Sequence, residues 1–230
     1  MKKLIYLLLG TGLLLSYSCA KEDSNDVNQD KIWTQYELFY NQNEDKTHAI
    51  ARFRFGGATG TLLELTDSTG ASVTFNGAVM PYAPLWGAHH LEFAGNVTTG
   101  TFVYTNTAST TYTNSIPTGA QTFSFSAGFD TIQKSQAQTL AWVGNALAAN
   151  ESVSVFVGSW TWGEDALFYT DADGATQVIM AVNQMSNLAE GQATVYMDRA
   201  LTGTLSQGTS EGGLIQYKYR PTNATVQVIP

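Results

Sequence analysis

Apolar residues along this chain recur at every second position, in short runs bounded by turn formers. Tyr36, Leu38 and Tyr40 share one parity, and Ala51, Phe53 and Phe55 face away from Arg52 and Arg54. Leu63 and Leu65 alternate with Leu62 and Glu64. Val73 and Phe75 point together ahead of Asn76-Gly77, a two-residue hairpin signal. Leu91 with Phe93 and Phe102 with Tyr104 continue the series. Later come Phe123 with Phe125, Leu140 with Trp142, the valines 153, 155 and 157, and Val178, Met180 and Val182. Ala193, Val195 and Met197, then Ile215, Tyr217 and Tyr219, then Val226 and Val228 close the pattern. Successive strand side chains point to opposite faces, so a period of two predicts half-buried strands and an all-β chain of sandwich type. Asn183 to Glu190 is the one helical candidate, short enough to be a turn.

The polar stretch from Thr107 to Gly119, with Pro117, interrupts the runs and predicts a domain boundary. Two β-sandwiches in tandem are expected, over residues 31–118 and 119–230. The second half holds about seven to eight strands in roughly a hundred residues, the size of an immunoglobulin-like sandwich. In NLAEGQATVYM, Leu188 and Gly191 precede a strand. This resembles the corner that enters the sixth strand of immunoglobulin and fibronectin type III sandwiches, although their corner tyrosine has no clear match. A single large sandwich or barrel is the alternative, since all-β domains of this length exist.

The N-terminus reads differently. Lys2 and Lys3 precede a mostly apolar run from Leu4 to Leu15, too short to span a bilayer and of the length of a signal-peptide core. Ser16, Tyr17 and Ser18 then lead into Cys19, the chain's single cysteine. This resembles a bacterial lipobox, in a loosened form with Ser16 where Leu is usual, and looks like the lipoproteins of the Bacteroidota. The resemblance implies that residues 1–18 are a lipoprotein signal peptide and that Cys19 receives diacylglycerol. Lys21, Glu22, Asp23 and Asp26 resemble the acidic stretch that, in that group, accompanies display on the outer face of the outer membrane. Residues 19–30 would then be an acidic flexible tether, too polar to offset its own ordering. The membrane would be a partner through the lipid on Cys19, with two or more acyl chains needed for a stable hold. An ordinary cleaved signal with an incidental cysteine is the alternative.

Charge removes some partners. Without the leader, nine basic residues face nineteen acidic ones, a net of −10. No basic cluster exists, so nucleic acid is not an expected partner. With no cysteine beyond Cys19 there is no disulfide framework and no thiolate metal site.

Candidate chemistry is sparse. The histidines are His48, His89 and His90. His89 and His90 point to opposite faces of any regular strand. His90 and Glu92 share a face but give two ligands where catalytic zinc takes three protein ligands. The expectation is a half-exposed loop pair and no metal. Asp171 to Gly174 reads as a tight turn, lacking the further ligands of a calcium loop. The chain has no GxSxG elbow, and Gly208 to Gly213 lacks the P-loop lysine. No cofactor is expected. Asp67-Ser68-Thr69 and Asp130-Thr131-Ile132 resemble the short O-glycosylation acceptor pattern of Bacteroidota.

Aromatic residues supply the binding candidates. In SVSVFVGSWTWGED, Trp160 and Trp162 have the parity opposite to the valines, so a regular strand turns both outward beside Glu164 and Asp165. Such a pair resembles the stacking platform of a sugar-binding face. A bulge at Gly158 would reverse the parity and bury both. In VMPYAPLWGAHH the prolines dictate a loop, which carries Tyr82, Leu85 and Trp86. The functional expectation is a surface lipoprotein that binds without catalysis, as an adhesin, a glycan-capturing module or an assembly subunit. A surface glycan hydrolase and a structural spacer are the alternatives, and sandwich folds host all of these.

Overall fold

The computed structural model describes residues 22–66, 70–158 and 163–230. Cys19, the Asp67-Ser68-Thr69 motif, Trp160 and Trp162 lie outside the described residues. The chain is all-β. In order, its strands are Glu22–Asp23 (β1), Ile32–Asn41 (β2), Lys46–Phe55 (β3), Thr61–Glu64 (β4), Ser72–Phe75 (β5), Ala78–Val79 (β6) and Tyr82–Ala83 (β7). Ala88–Ala94 (β8), Thr101–Thr105 (β9), Thr111–Ser115 (β10), Ser124–Phe125 (β11), Thr131–Gln133 (β12) and Gln138–Val143 (β13) follow. Then come Glu151–Gly158 (β14), Asp165–Thr170 (β15), Gln177–Met180 (β16), the helix Val182–Met185 (α1), Gly191–Gly203 (β17), Gly213–Arg220 (β18) and Ala224–Ile229 (β19).

A twelve-stranded sheet forms the backbone of the molecule among the described residues, with the main order β1-β4-β3-β2-β18-β17-β14-β15. β8 adds to the free half of β3, and β19 adds to the first half of β17. Strands from both sides of the expected 118/119 boundary share this sheet: β2 and β18 pair in parallel from Thr34↔Gly213 to Asn41↔Arg220. Two smaller sheets, β10-β9-β5-β6 and β11-β13-β16, cover one face of it. Tyr36 stacks on Phe102 at 4.9 Å and Phe53 lies 4.7 Å from Tyr104 across the first layer. Phe123 bridges Trp142 and Tyr219 in the second. The buried residues of both layers form one continuous core.

The alternating parities hold in the long strands, while Val182, expected inward, is exposed and opens α1. Tyr36, Leu38, Phe53, Val73, Phe75, Phe102, Tyr104, Val153, Val155, Val157, Met197 and Ile215 are all buried. Asn76 and Gly77 both have positive φ, 49° and 83°, as the tight turn between β5 and β6 requires. The polar run 107–119 contains β10, which the pattern did not reveal. Its inward side carries Tyr112, stacked on Tyr104 at 5.7 Å, and the buried Asn114, whose Oδ1 accepts from the backbone N–H of Ser206 at 2.8 Å and of Gln207 at 3.1 Å. Polar bonding at Asn114 does the work that apolar burial does elsewhere. From Glu22 onward the acidic segment lies along the sheet edge, where β1 pairs with β4. Thr66 donates to Asp23 at 3.0 Å, and Ser24 is fully buried.

Candidate functional site

Among the described residues both small sheets cover the same face, and neither covers the opposite face of the long sheet. Strand register lays out its side chains in rows. One row runs Lys218, Phe39, His48, Glu92 across β18, β2, β3 and β8. The next runs Gln216, Glu37, Ile50, His90. At the other end, Leu167, Phe156 and Tyr196 align across β15, β14 and β17, beside the row Tyr169, Ser154, Asp198. The two ends are six strand spacings apart, about 29 Å.

The β15 end is open. Leu167 is 61% exposed and Tyr169 58%, while Phe156 and Tyr196 are half-buried with rings 6.0 Å apart. Arg220 lies over the Tyr196 ring at 5.3 Å and over Phe39 at 5.1 Å. It grips Asp198 through two bonds, Nε to Oδ1 at 2.6 Å and Nη2 to Oδ2 at 2.8 Å. A pocket of about 480 Å³ opens beside Tyr169, lined also by Thr170, Gln177 and Ile179. In the middle of the face, Glu37 accepts from Lys218 at 3.2 Å and from Gln216.

The β8 end is closed. Trp86, at the end of a one-turn helix that starts at Pro84, stacks on His90 at 4.3 Å and 17°. His48 lies against the same cluster, 5.0 Å from the Trp86 ring and 5.2 Å from the His90 ring. Nδ1 of His48 and Nε2 of His90 are 3.0 Å apart. Burial, then the neighbouring His48, lowers the His90 pKa, with Glu92 opposing. A hydrogen bond from Lys46 lowers the Glu92 pKa.

The expectation of a half-exposed loop pair at 89 and 90 is corrected: both histidines are buried in strand β8. They do face opposite ways. His89 points to the core side, where Nδ1 donates to the Met80 carbonyl at 2.8 Å and Nε2 accepts from the Leu65 N–H at 3.1 Å. It is a satisfied structural histidine. Tyr82 packs edge-on against it at 5.4 Å, so Tyr82 and Trp86, neighbours in one loop, end on opposite sides of β8. Glu164 is exposed and Asp165 opens β15, at the far end from Trp86. Among the described candidates, Tyr82 and Trp86 therefore lie apart from Glu164 and Asp165.

Gly158 has φ 125°, and a Cβ there would come within 2.8 Å of the Glu164 carbonyl oxygen. Gly158 is the last residue of β14, and Trp160 and Trp162 beyond it lie outside the described residues. Asp171 to Gly174 forms the turn expected of it, with Gly174 at φ 80°. Sequence reasoning missed Phe39, Phe156, Tyr169, Tyr196 and Arg220. Phe156 and Tyr196 carried a signal: each is an aromatic at the outward parity of a strand whose other parity is apolar.

No family model and no curated protein matches the chain. Among solved structures it is similar to SGBP-B of the Bacteroides ovatus mixed-linkage glucan utilization locus, solved with a mixed-linkage heptasaccharide. The identity is 11%, the alignment covers 90% of this chain and 45% of that one, and the TM-score is 0.24. It is also similar to a 1.5-MDa bacterial ice-binding adhesin studied for host cell surface retention, at 16% identity, 87% and 66% coverage and a TM-score of 0.25. The chain thus spans less than two thirds of either. No helix among the described residues is long and apolar enough to cross a membrane.

Proposed function

We propose that this protein is a non-catalytic capture module, held at the outer membrane by a lipid on Cys19, whose open sheet face takes a glycan. The observation that carries the reading is the platform at the β15 end: Leu167, Phe156 and Tyr196 in one row, with Tyr169 and the Asp198–Arg220 pair in the next. Flat apolar ring faces suit the C–H faces of pyranoses, and a fixed carboxylate and guanidinium suit their hydroxyls. Trp160 and Trp162 belong to the segment that joins β14 to β15, and Glu164 and Asp165 close it. A surface hydrolase needs a carboxylic acid and a free carboxylate facing each other. Here both oxygens of Asp198 are engaged by Arg220, and Glu37 is engaged by Lys218 and Gln216, which favours binding over hydrolysis.

Titration calorimetry of the purified protein against a panel of soluble polysaccharides tests this. One class of glycan binds, and Tyr169→Ala weakens it by roughly tenfold, the order of one aromatic contact. Leu85→Ala, a fully exposed residue on the far loop, leaves affinity unchanged. Failure of every glycan in the panel, or equal binding by Tyr169→Ala, overturns the proposal.

A further inference from the structure

We propose that His48, His90 and Glu92 form a binding site for a late first-row divalent cation, Zn²⁺ first among them. His90 and Glu92 lie two apart on β8 and so share its outer face, and β3 supplies the third donor. His48 pairs directly with Glu92, and its neighbour Ile50 pairs with His90. Backbone register therefore brings the three side chains together before any metal arrives, as a preorganised site requires.

The spacing fits. Tetrahedral zinc with nitrogen and oxygen ligands at about 2.0–2.2 Å holds its donors about 3.3–3.5 Å apart. The three donor atoms here all lie within 4.8 Å of one another. The imidazole nitrogens are 3.0 Å apart, and Glu92 Oε1 is 4.0 Å from His48 Nδ1. The imidazole nitrogens part slightly, and the larger adjustment falls on Glu92, the half-exposed side chain of the three. Two imidazoles and one carboxylate suit zinc, nickel or copper, whereas calcium and magnesium take mainly oxygen.

The surroundings are those of a ligand set. Glu44 places Oε2 3.5 Å from His48 Nε2, so a proton held there leaves the Nδ1 lone pair facing His90 and Glu92. Carboxylates commonly fix metal-bound histidines in this way. Lys46 binds Glu92 Oε2 at 2.7 Å and leaves Oε1 turned to the site. Trp86, stacked on His90, fixes the ring plane and screens one side. Three protein donors leave a fourth position for water or for a group on a partner.

The test is a Zn²⁺ titration of the purified protein by calorimetry in metal-free buffer, with Co²⁺ absorption as a second readout of coordination. One equivalent binds, and Co²⁺ gives the visible bands of a low-coordinate nitrogen–oxygen site. Glu92→Gln lowers affinity by roughly tenfold or more, and His48→Gln abolishes stoichiometric binding. Glu190→Gln, a remote exposed carboxylate, changes nothing. Circular dichroism checks that the variants fold. Should His48→Gln unfold, Glu92→Gln decides alone, since its half-exposed side chain alters only the contacts to Lys46 and His48. No saturable binding by the wild type, or equal binding by Glu92→Gln, overturns the site. Neither result bears on glycan affinity at the opposite end of the sheet.

Discussion

Glu151 and Arg199 make a test of what holds the platform in place. Both side chains are 2% exposed. Arg199 Nε donates to Oε1 at 3.0 Å and Nη2 to Oε2 at 2.5 Å. The same guanidinium donates to the carbonyls of Asn145 at 2.9 Å and Ala146 at 3.1 Å, and the Ala148 N–H donates to Glu151 at 2.8 Å. The pair thereby ties the loop before β14 to β17, the two strands that carry Phe156 and Tyr196. Glu151→Gln keeps the shape and removes the negative charge, leaving a buried guanidinium uncompensated. Breaking one partner of a buried pair costs about 3–5 kcal/mol. Against a total stability of about 5–15 kcal/mol that is a large share. For a chain of this size it lowers Tm by roughly 6–20 °C. Urea unfolding of the wild type, Glu151→Gln, Arg199→Met and Glu151→Gln/Arg199→Met completes a cycle. The double variant loses less than the sum of the singles, by about 3 kcal/mol or more, because it buries no lone charge. Additive losses, or a Glu151→Gln cost under about 1 kcal/mol, would refute the reasoning.

Other outcomes follow from the same structure. Gly213→Ala puts a Cβ 2.1 Å from the Thr34 carbonyl oxygen, backbone that cannot step aside, so it strains the β2–β18 joint and costs about 2–3 kcal/mol in urea unfolding. Phe53→Ala, which empties a fully buried site between Tyr36 and Tyr104, costs about 3–5 kcal/mol by the same assay. Burial pushes the Tyr217 phenol up to about 12, against the opposing bond to Asn96. The folded chain then keeps a proton that the unfolded chain releases near pH 10, so this stabilisation is intact below pH 10. It is lost between pH 10 and about 12, at about 1.4 kcal/mol per pH unit. Tyr36 and Tyr104 are raised by burial too, and alkaline unfolding should coincide with a late, cooperative rise in phenolate absorbance.

The class of fold and the inward face of nearly every long strand were legible in the sequence, because a period of two is a local property and burial follows from it directly. Val153, Val155 and Val157 could be assigned to the core without knowing their neighbours. The turn at Asn76-Gly77 was equally local. Strand β10 escaped because Asn114, buried through hydrogen bonds, interrupts the apolar alternation between Tyr112 and Ile116. His90 and Glu92 were visible as two ligands on one face, but His48 is forty-two residues away from His90 and joins them only through the β3–β8 register. The same holds for the platform. Leu167, Phe156 and Tyr196 come from three strands, and no spacing along the chain says that they align. Side-chain parity was thus written into the sequence by itself. Which strand lies beside which was decided by tertiary pairing, above all where β2 meets β18 across most of the chain's length, since the backbone bonds that choose a neighbour are the same for every residue type.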